Sequence, residues 1–126
     1  MTLKVLHVED EPDIREVAGL ALSLDPDMEL TSAASGQEAL ARLETLAPDV
    51  ILLDVMMPGM DGPSVLAALR ERPGLQATPV IFMTARAQGS EIERYLALGA
   101  VGVITKPFDP MTLAREVRDI LAGAQS

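Results

Sequence analysis

The chain has 126 residues, 48% of them hydrophobic and only 2% aromatic, with a formal net charge of −9. That length suits one domain with a core of Leu, Val, Ile, Ala and Met, and without clustered cations direct nucleic-acid binding is not expected. Cysteine is absent, which excludes disulfides, thiolate metal sites and cysteine nucleophiles. Met1-Thr2-Leu3-Lys4 leads into a short apolar run broken by Glu9-Asp10. No stretch approaches the roughly 20 apolar residues that span a bilayer, so a soluble cytoplasmic protein without membrane insertion is expected.

Short β-like runs alternate with helical segments. Lys4–Val8 predicts the first strand, and Glu11–Leu24 a helix with Pro12 in its first turn and Ile14, Val17, Ala18, Ala21 and Leu22 at helical spacing. Met28–Ala33 makes a weaker second strand after Asp25-Pro26-Asp27. Ser35-Gly36-Gln37-Glu38 is a capping-box pattern that opens a helix through Leu46. Val50–Leu53 is a continuous apolar strand, as expected where both faces of a sheet are covered. A third helix runs from Asp61-Gly62-Pro63 to about Arg72. Val80–Met83 predicts the fourth strand, Ser90–Leu98 the fourth helix and Val101–Thr105 the fifth strand. Asp109 with Pro110 behind it predicts the cap and first turn of a last helix reaching about Ala122, with Gly123–Ser126 as a fraying tail. The alternation predicts an α/β fold, a three-layer (βα)5 sandwich around a parallel sheet with right-handed crossovers. Ligands in such sheets bind beyond the carboxyl ends of the strands.

The polar residues of interest sit at those ends. Asp54 follows four large apolar residues directly, where an unpaired acid is costly to bury, so a partner or ligand is implied. Glu9-Asp10, taken alone, reads as helix capping. Together with Asp54 it forms a carboxylate set suited to Mg²⁺, with the carbonyl of Met56 as a further oxygen ligand. A divalent cation relieves repulsion among crowded carboxylates and shields Asp54 from an incoming phosphoryl dianion. Asp54 is the candidate nucleophile, forming an acyl phosphate. Lys106, confined by Pro107 to extended or turn backbone, offers an ammonium for the resting carboxylate and later for a phosphoryl oxygen. Thr84 offers a hydroxyl, although a strand-end threonine commonly bonds local backbone. His7, the only histidine, lies inside an apolar strand and is expected in the core.

Taken together these residues resemble the response-regulator receiver domain of two-component signalling. The likeness rests on Val8-Glu9-Asp10-Glu11, on Leu53-Asp54-Val55-Met56-Met57-Pro58-Gly59-Met60-Asp61-Gly62, on Thr84-Ala85 and on Lys106-Pro107-Phe108, in that order on alternating elements. The resemblance implies strand order 2-1-3-4-5 and a single receiver domain over residues 1–126, its core about 3–122, without an output domain. It implies that Asp54 accepts a phosphoryl group from a phosphohistidine of a sensor histidine kinase or phosphotransfer protein. It further implies Mg²⁺, or Mn²⁺, on Asp10, Asp54 and the Met56 carbonyl, with Glu9 acting through water and with Thr84 and Lys106 on the phosphoryl oxygens. Receivers often carry an aromatic residue three positions before the lysine, where this chain has Val103, so the usual threonine–aromatic switch cannot operate in its ordinary form.

The function expected is a signalling switch that catalyses only its own phosphorylation and dephosphorylation and presents a changed surface to a downstream protein target. An excised receiver of a hybrid kinase is one alternative. An Mg²⁺-dependent aspartyl-phosphate phosphohydrolase is another, although Met56 stands where such enzymes generally need a second acid.

Overall fold

A computed structural model describes residues 2–124. Its strands are β1 (Leu3–Val8), β2 (Met28–Ala33), β3 (Val50–Asp54), β4 (Val80–Thr84) and β5 (Gly102–Thr105). They alternate with α1 (Pro12–Ser23), α2 (Gly36–Arg42), α3 (Gly62–Arg70), α4 (Gly89–Ala97) and α5 (Leu113–Ala124). All strand pairs are parallel and the sheet order is β2-β1-β3-β4-β5. This is the doubly wound arrangement that the alternation of elements predicts.

Every residue of β3 and β4 is buried, which explains why these strands read as unbroken apolar runs. Alternation along the strands divides the core in two. Leu6, Val8, Ile51, Leu53, Val80 and Phe82 pack with Val65, Leu66 and Leu69 of α3 and Tyr95 of α4. Val5, Val50, Leu52, Ile81, Met83 and Ile104 pack with Ala18 and Leu22 of α1 and Val117 and Leu121 of α5. Each fully buried Leu, Ile, Val or Phe contributes roughly 1.5–3 kcal/mol relative to exposure.

Helix boundaries differ from expectation where side chains intervene. Helix α2 was expected to reach Leu46 but ends at Arg42. The carbonyl of Leu40 is taken by Arg72 Nη1 at 2.8 Å, and Glu44 N–H donates instead to Ala41 at 3.3 Å, tightening the last turn. At its start, Ser35 Oγ accepts from Glu38 N at 3.0 Å, while the Glu38 carboxylate lies 3.5 Å from Arg42 along the helix. Asp109 caps a turn, not the helix itself. Its carboxylate accepts from Met111 N at 2.9 Å in an Asx-turn, and the α-helix starts at Leu113. Gly123 and Ala124 are helical, not a fraying tail, as α5 continues two residues past the expected end; Gln125 and Ser126 lie outside the described residues. Helix α3 stops two residues short of Arg72, as Glu71 and Arg72 form i to i+3 bonds to Ala68 and Leu69.

His7 is in the core, as its strand context predicts. It is fully buried, and neither ring nitrogen has a hydrogen-bond partner. Burial, helped by the nearby charges of Lys106 and Arg15, lowers its pKa to about 4. Such a group stabilises the fold fully above its unfolded pKa of about 6.5, and that contribution is lost as pH falls through the folded value. The difference corresponds to on the order of 3 kcal/mol. His7→Val should therefore remove a large part of the loss of stability seen between about pH 6.5 and 4, measured as urea midpoints across that range. Parallel pH profiles for the two proteins would refute this role for His7.

Candidate functional site

Four strand ends meet at the carboxyl edge of the sheet. Strand β3 pairs with β1 on one side and β4 on the other, and β5 lies beyond β4, so the residues that leave these strands face one another. Glu9, Asp10, Glu11, Asp54, Met56, Thr84, Ala85 and Lys106 line a cavity of about 180 Å³. All six site residues singled out in the sequence are among them.

Lys106 holds the centre. Its Nζ donates to Asp54 Oδ1 at 2.9 Å and to Glu9 Oε1 at 3.0 Å. The Glu9 and Asp54 side chains are almost wholly buried, at 0% and 3% exposure, so solvent screens these contacts weakly. One ammonium cannot neutralise two buried carboxylates with Asp10 beside them. Burial raises the pKa of Asp54, the Lys106 hydrogen bond and charge oppose that rise, and the Asp10 charge adds to it. Glu9 is raised for the same first reason, with the Glu11 N–H and Lys106 opposing. Burial also works against the Lys106 ammonium, but its bonds to Asp54 and Glu9 outweigh this and its pKa rises. The site thus holds a protonated lysine and an excess of negative charge.

Such an excess is suited to a cation. Glu9, Asp10 and Asp54 each present a carboxylate oxygen, all within 4.8 Å of one another. Hard oxygen donors in this number fit Mg²⁺, which needs one or two carboxylates and retains several waters. The set comes from two segments only. Val8 and Leu53 pair across β1 and β3, so Glu9-Asp10 and Asp54 leave the sheet side by side.

Several local contacts fix the loops. Glu9 Oε2 also accepts the Glu11 N–H at 3.2 Å, but α1 carries no side-chain cap, so this acid fixes the loop before the helix and does not cap the helix itself. Arg15 Nη1 donates to the Glu9 carbonyl at 2.8 Å and the Asp10 carbonyl at 3.4 Å. Thr84, 2% exposed, accepts from Arg86 N at 3.0 Å through its hydroxyl oxygen, the local bond a strand-end threonine favours. The hydroxyl hydrogen remains to donate into the cavity. The Lys106–Pro107 peptide is cis. The Met56 side chain is 69% exposed, and Met56 borders the cavity beside Asp54.

Two contributors escape a reading of the sequence alone. Arg15 sits on α1 among other charged residues, and nothing in its position signals that it clamps the loop before it. Gly62 opens α3, yet a Cβ there would also lie 2.7 Å from the Asp54 carbonyl oxygen and 2.9 Å from Val55 Cα. The Asp61-Gly62 pair so soon after Asp54 is the available signal that the chain doubles back on the acid.

The fold and this acid–lysine edge define a receiver-domain class, and comparison with known proteins agrees. The chain belongs to the response regulator receiver domain family of two-component signalling, whose sequence profile matches residues 5–118. It is 38% identical to the response regulator Rre1 of Synechocystis sp. over 98% of this chain and 54% of that protein. It spans about half the length of the first curated relatives it matches. The chemotaxis response regulator CheY4 of Vibrio cholerae superposes with a TM-score of 0.87 at 34% identity, covering 95% of this chain and 99% of that one. The signal receiver domain of a signal transduction histidine kinase from Syntrophus aciditrophicus superposes at 0.81 with 34% identity, covering 97% and 92%. Among the described residues no helix is long and apolar enough to cross a membrane.

The raised pKa of Asp54 has a consequence for stability. The carboxyl favours the fold below its ordinary value of 3.8, and that advantage is lost as pH rises through the folded value. In metal-free buffer Asp54→Asn should therefore be more stable than the parent at neutral pH, with the advantage gone near pH 3. Denaturant midpoints at the two pH values check this; a destabilised variant at neutral pH would show that the Lys106 pair outweighs burial.

Proposed function

We propose that Asp54 is the phosphoacceptor, taking its phosphoryl group from a phosphohistidine of a sensor histidine kinase or histidine phosphotransfer protein. One observation carries this reading: a buried carboxylate at a strand end, held by Lys106 and crowded by two further acids within metal-binding reach. In the transfer the bond between imidazole nitrogen and phosphorus breaks, and an Asp54 oxygen forms a new bond to phosphorus. The electron pair of the broken bond stays with the imidazole of the donor.

The residues of this chain have separate tasks. Lys106 spans Asp54 and Glu9 at rest and exchanges a carboxylate for a phosphoryl oxygen afterwards, keeping its own charge compensated. Thr84 supplies a hydroxyl hydrogen to a second phosphoryl oxygen. Asp10, Asp54 and the Met56 carbonyl, with Glu9 through water, would hold Mg²⁺ or Mn²⁺, which would lower the repulsion between the carboxylates and an incoming dianion. Beside the cavity, Ile14, Val17, Pro107 and Phe108 line an apolar groove of about 430 Å³ that gives a protein donor a surface next to the acceptor.

Phosphorylation adds negative charge where the site already has an excess, and the surface around α4, β5 and α5 then favours a different arrangement for a downstream protein target. This makes the chain a signalling switch that catalyses only its own phosphorylation and dephosphorylation. The phosphohydrolase alternative gains no support, since the second residue after Asp54 is Met56, which has no proton to exchange.

Acetyl phosphate with Mg²⁺ should add one phosphoryl mass to the parent protein and none to Asp54→Asn, read by intact mass spectrometry; labelling that survives in the variant would remove Asp54 from this role. Mg²⁺ at a hundredfold excess over its dissociation constant should stabilise the parent by about 2.7 kcal/mol. Asp10→Asn should lose most of that gain, whereas Lys106→Ala should keep it, as followed by thermal melts with and without chelator. Equal Mg²⁺ stabilisation in Asp10→Asn would place the cation elsewhere.

A further inference from the structure

Helix α1 carries a second apolar stripe besides the one it buries. Ala18, Ala21 and Leu22 pack in the core. Val17 and Leu20, with Leu24 just past the helix end, follow at helical spacing and are 43%, 65% and 59% exposed. Met111, in the turn before α5, is 77% exposed and shares a groove with Leu24. These are four of the seven large apolar side chains exposed among the described residues, and their concentration on one face marks a surface that binds protein.

The two ends of the stripe differ in shape and charge. Toward the start of α1, Asp13, Ile14 and Val17 border the groove of about 430 Å³ beside Lys106 and Phe108. Toward its end, Ala21, Leu24, Met111 and Arg115 border another of about 410 Å³. One end thus carries an acid, with Glu16 one turn further on, and the other a cation. Among the described residues Asp13, Glu16 and Arg115 have no ion-pair partner, whereas Arg118 is taken by Asp25. A stripe with opposite charges at its ends complements itself when a second copy lies antiparallel. A parallel arrangement would set acid on acid and cation on cation. Under a twofold axis each contact occurs twice, so Leu24 and Met111 of each copy fill the groove at Ile14, Val17 and Phe108 of the other.

We propose that a second copy of this chain docks antiparallel on α1, with Leu20 at the twofold axis and Asp13 of each copy paired with Arg115 of the other. The net charge of −9 opposes association of two copies in general, and this face offsets it by supplying a free cation where the acid arrives. From Ile14 to Leu24 the chain rises only about 15 Å. The interface is therefore at the small end of specific contacts, and the dimer is a transient one that forms with rising concentration. It closes the groove beside Lys106. On the phosphoacceptor reading above, the monomer is then the form open to a protein donor. The pairing itself does not depend on that reading.

Sedimentation equilibrium of the full chain, from about 1 µM to about 1 mM at low salt, tests the pairing. The weight-average mass of the parent should rise from that of one chain toward that of two. Leu20→Asp, a change at an exposed position, should keep its circular dichroism and stay monomeric throughout. Asp13→Arg and Arg115→Asp should each weaken association about tenfold, since symmetry counts the lost pair twice. The double variant Asp13→Arg with Arg115→Asp should regain it, which a contact made only of apolar side chains would not show. A parent that stays monomeric leaves the stripe to a different protein and overturns the pairing. A dimer that persists in Leu20→Asp forms on another face and overturns it too, as does a double variant no tighter than its single parents. Labelling of the parent by acetyl phosphate, read in parallel, tests the phosphoacceptor separately.

Discussion

The sharing of one ammonium between two buried carboxylates organises the rest of this molecule. Lys106 reaches Asp54 and Glu9 only because β5 ends beside β4, β4 beside β3, and β3 beside β1. A slip of one residue in any of those pairings would turn a site residue into the core and an apolar one into the cavity. The parallel sheet with its two covered faces is therefore the condition for the chemistry, and the register between Val8 and Leu53 is its narrowest point. The charge balance it produces, one cation against three acids, is unstable without a further positive group. It leaves at this edge an acid cluster suited to a metal ion.

How much of this could be read from residues alone depends on the range of the interaction. The strands were legible because β3 and β4 bury both faces and so write continuous apolar runs, and the loop after Asp54 because Pro and Gly punctuate it. Asp54, Lys106 and the acid pair were legible because each ends an apolar run. The end of α2 and the start of α5 were not, since Arg72 reaches across from the turn after α3 to take the Leu40 carbonyl and Asp109 bonds Met111 in a turn. The bond from Lys106 to Glu9 in addition to Asp54 joins positions 97 residues apart and has no local signature. Nor does Gly62 announce that its missing Cβ makes room for the Asp54 carbonyl.

Thr84 and Glu9 show why local and functional readings are not rivals. Thr84 bonds the Arg86 N–H as an ordinary strand-end threonine does, and the same hydroxyl retains a hydrogen for the cavity. Glu9 accepts a backbone N–H from Glu11 with one oxygen and Lys106 with the other. In each case the local bond fixes the side chain's direction, and the remaining valence faces the site. Polar groups at this edge are oriented by their neighbours before any ligand arrives.

The sheet also divides the labour of substitution. Leu52, Ile81 and Met83 belong to the face under α1 and α5, while Leu53, Phe82 and Tyr95 belong to the other. Changes confined to opposite layers touch no common partner and should act additively. A lineage could therefore redesign the helices on one side to suit a new listener while the opposite layer, which seats Ile104 beneath the lysine loop, kept its packing. Modularity of this kind comes from geometry: five strands, hydrogen-bonded edge to edge, are a wall between two inventories of side chains.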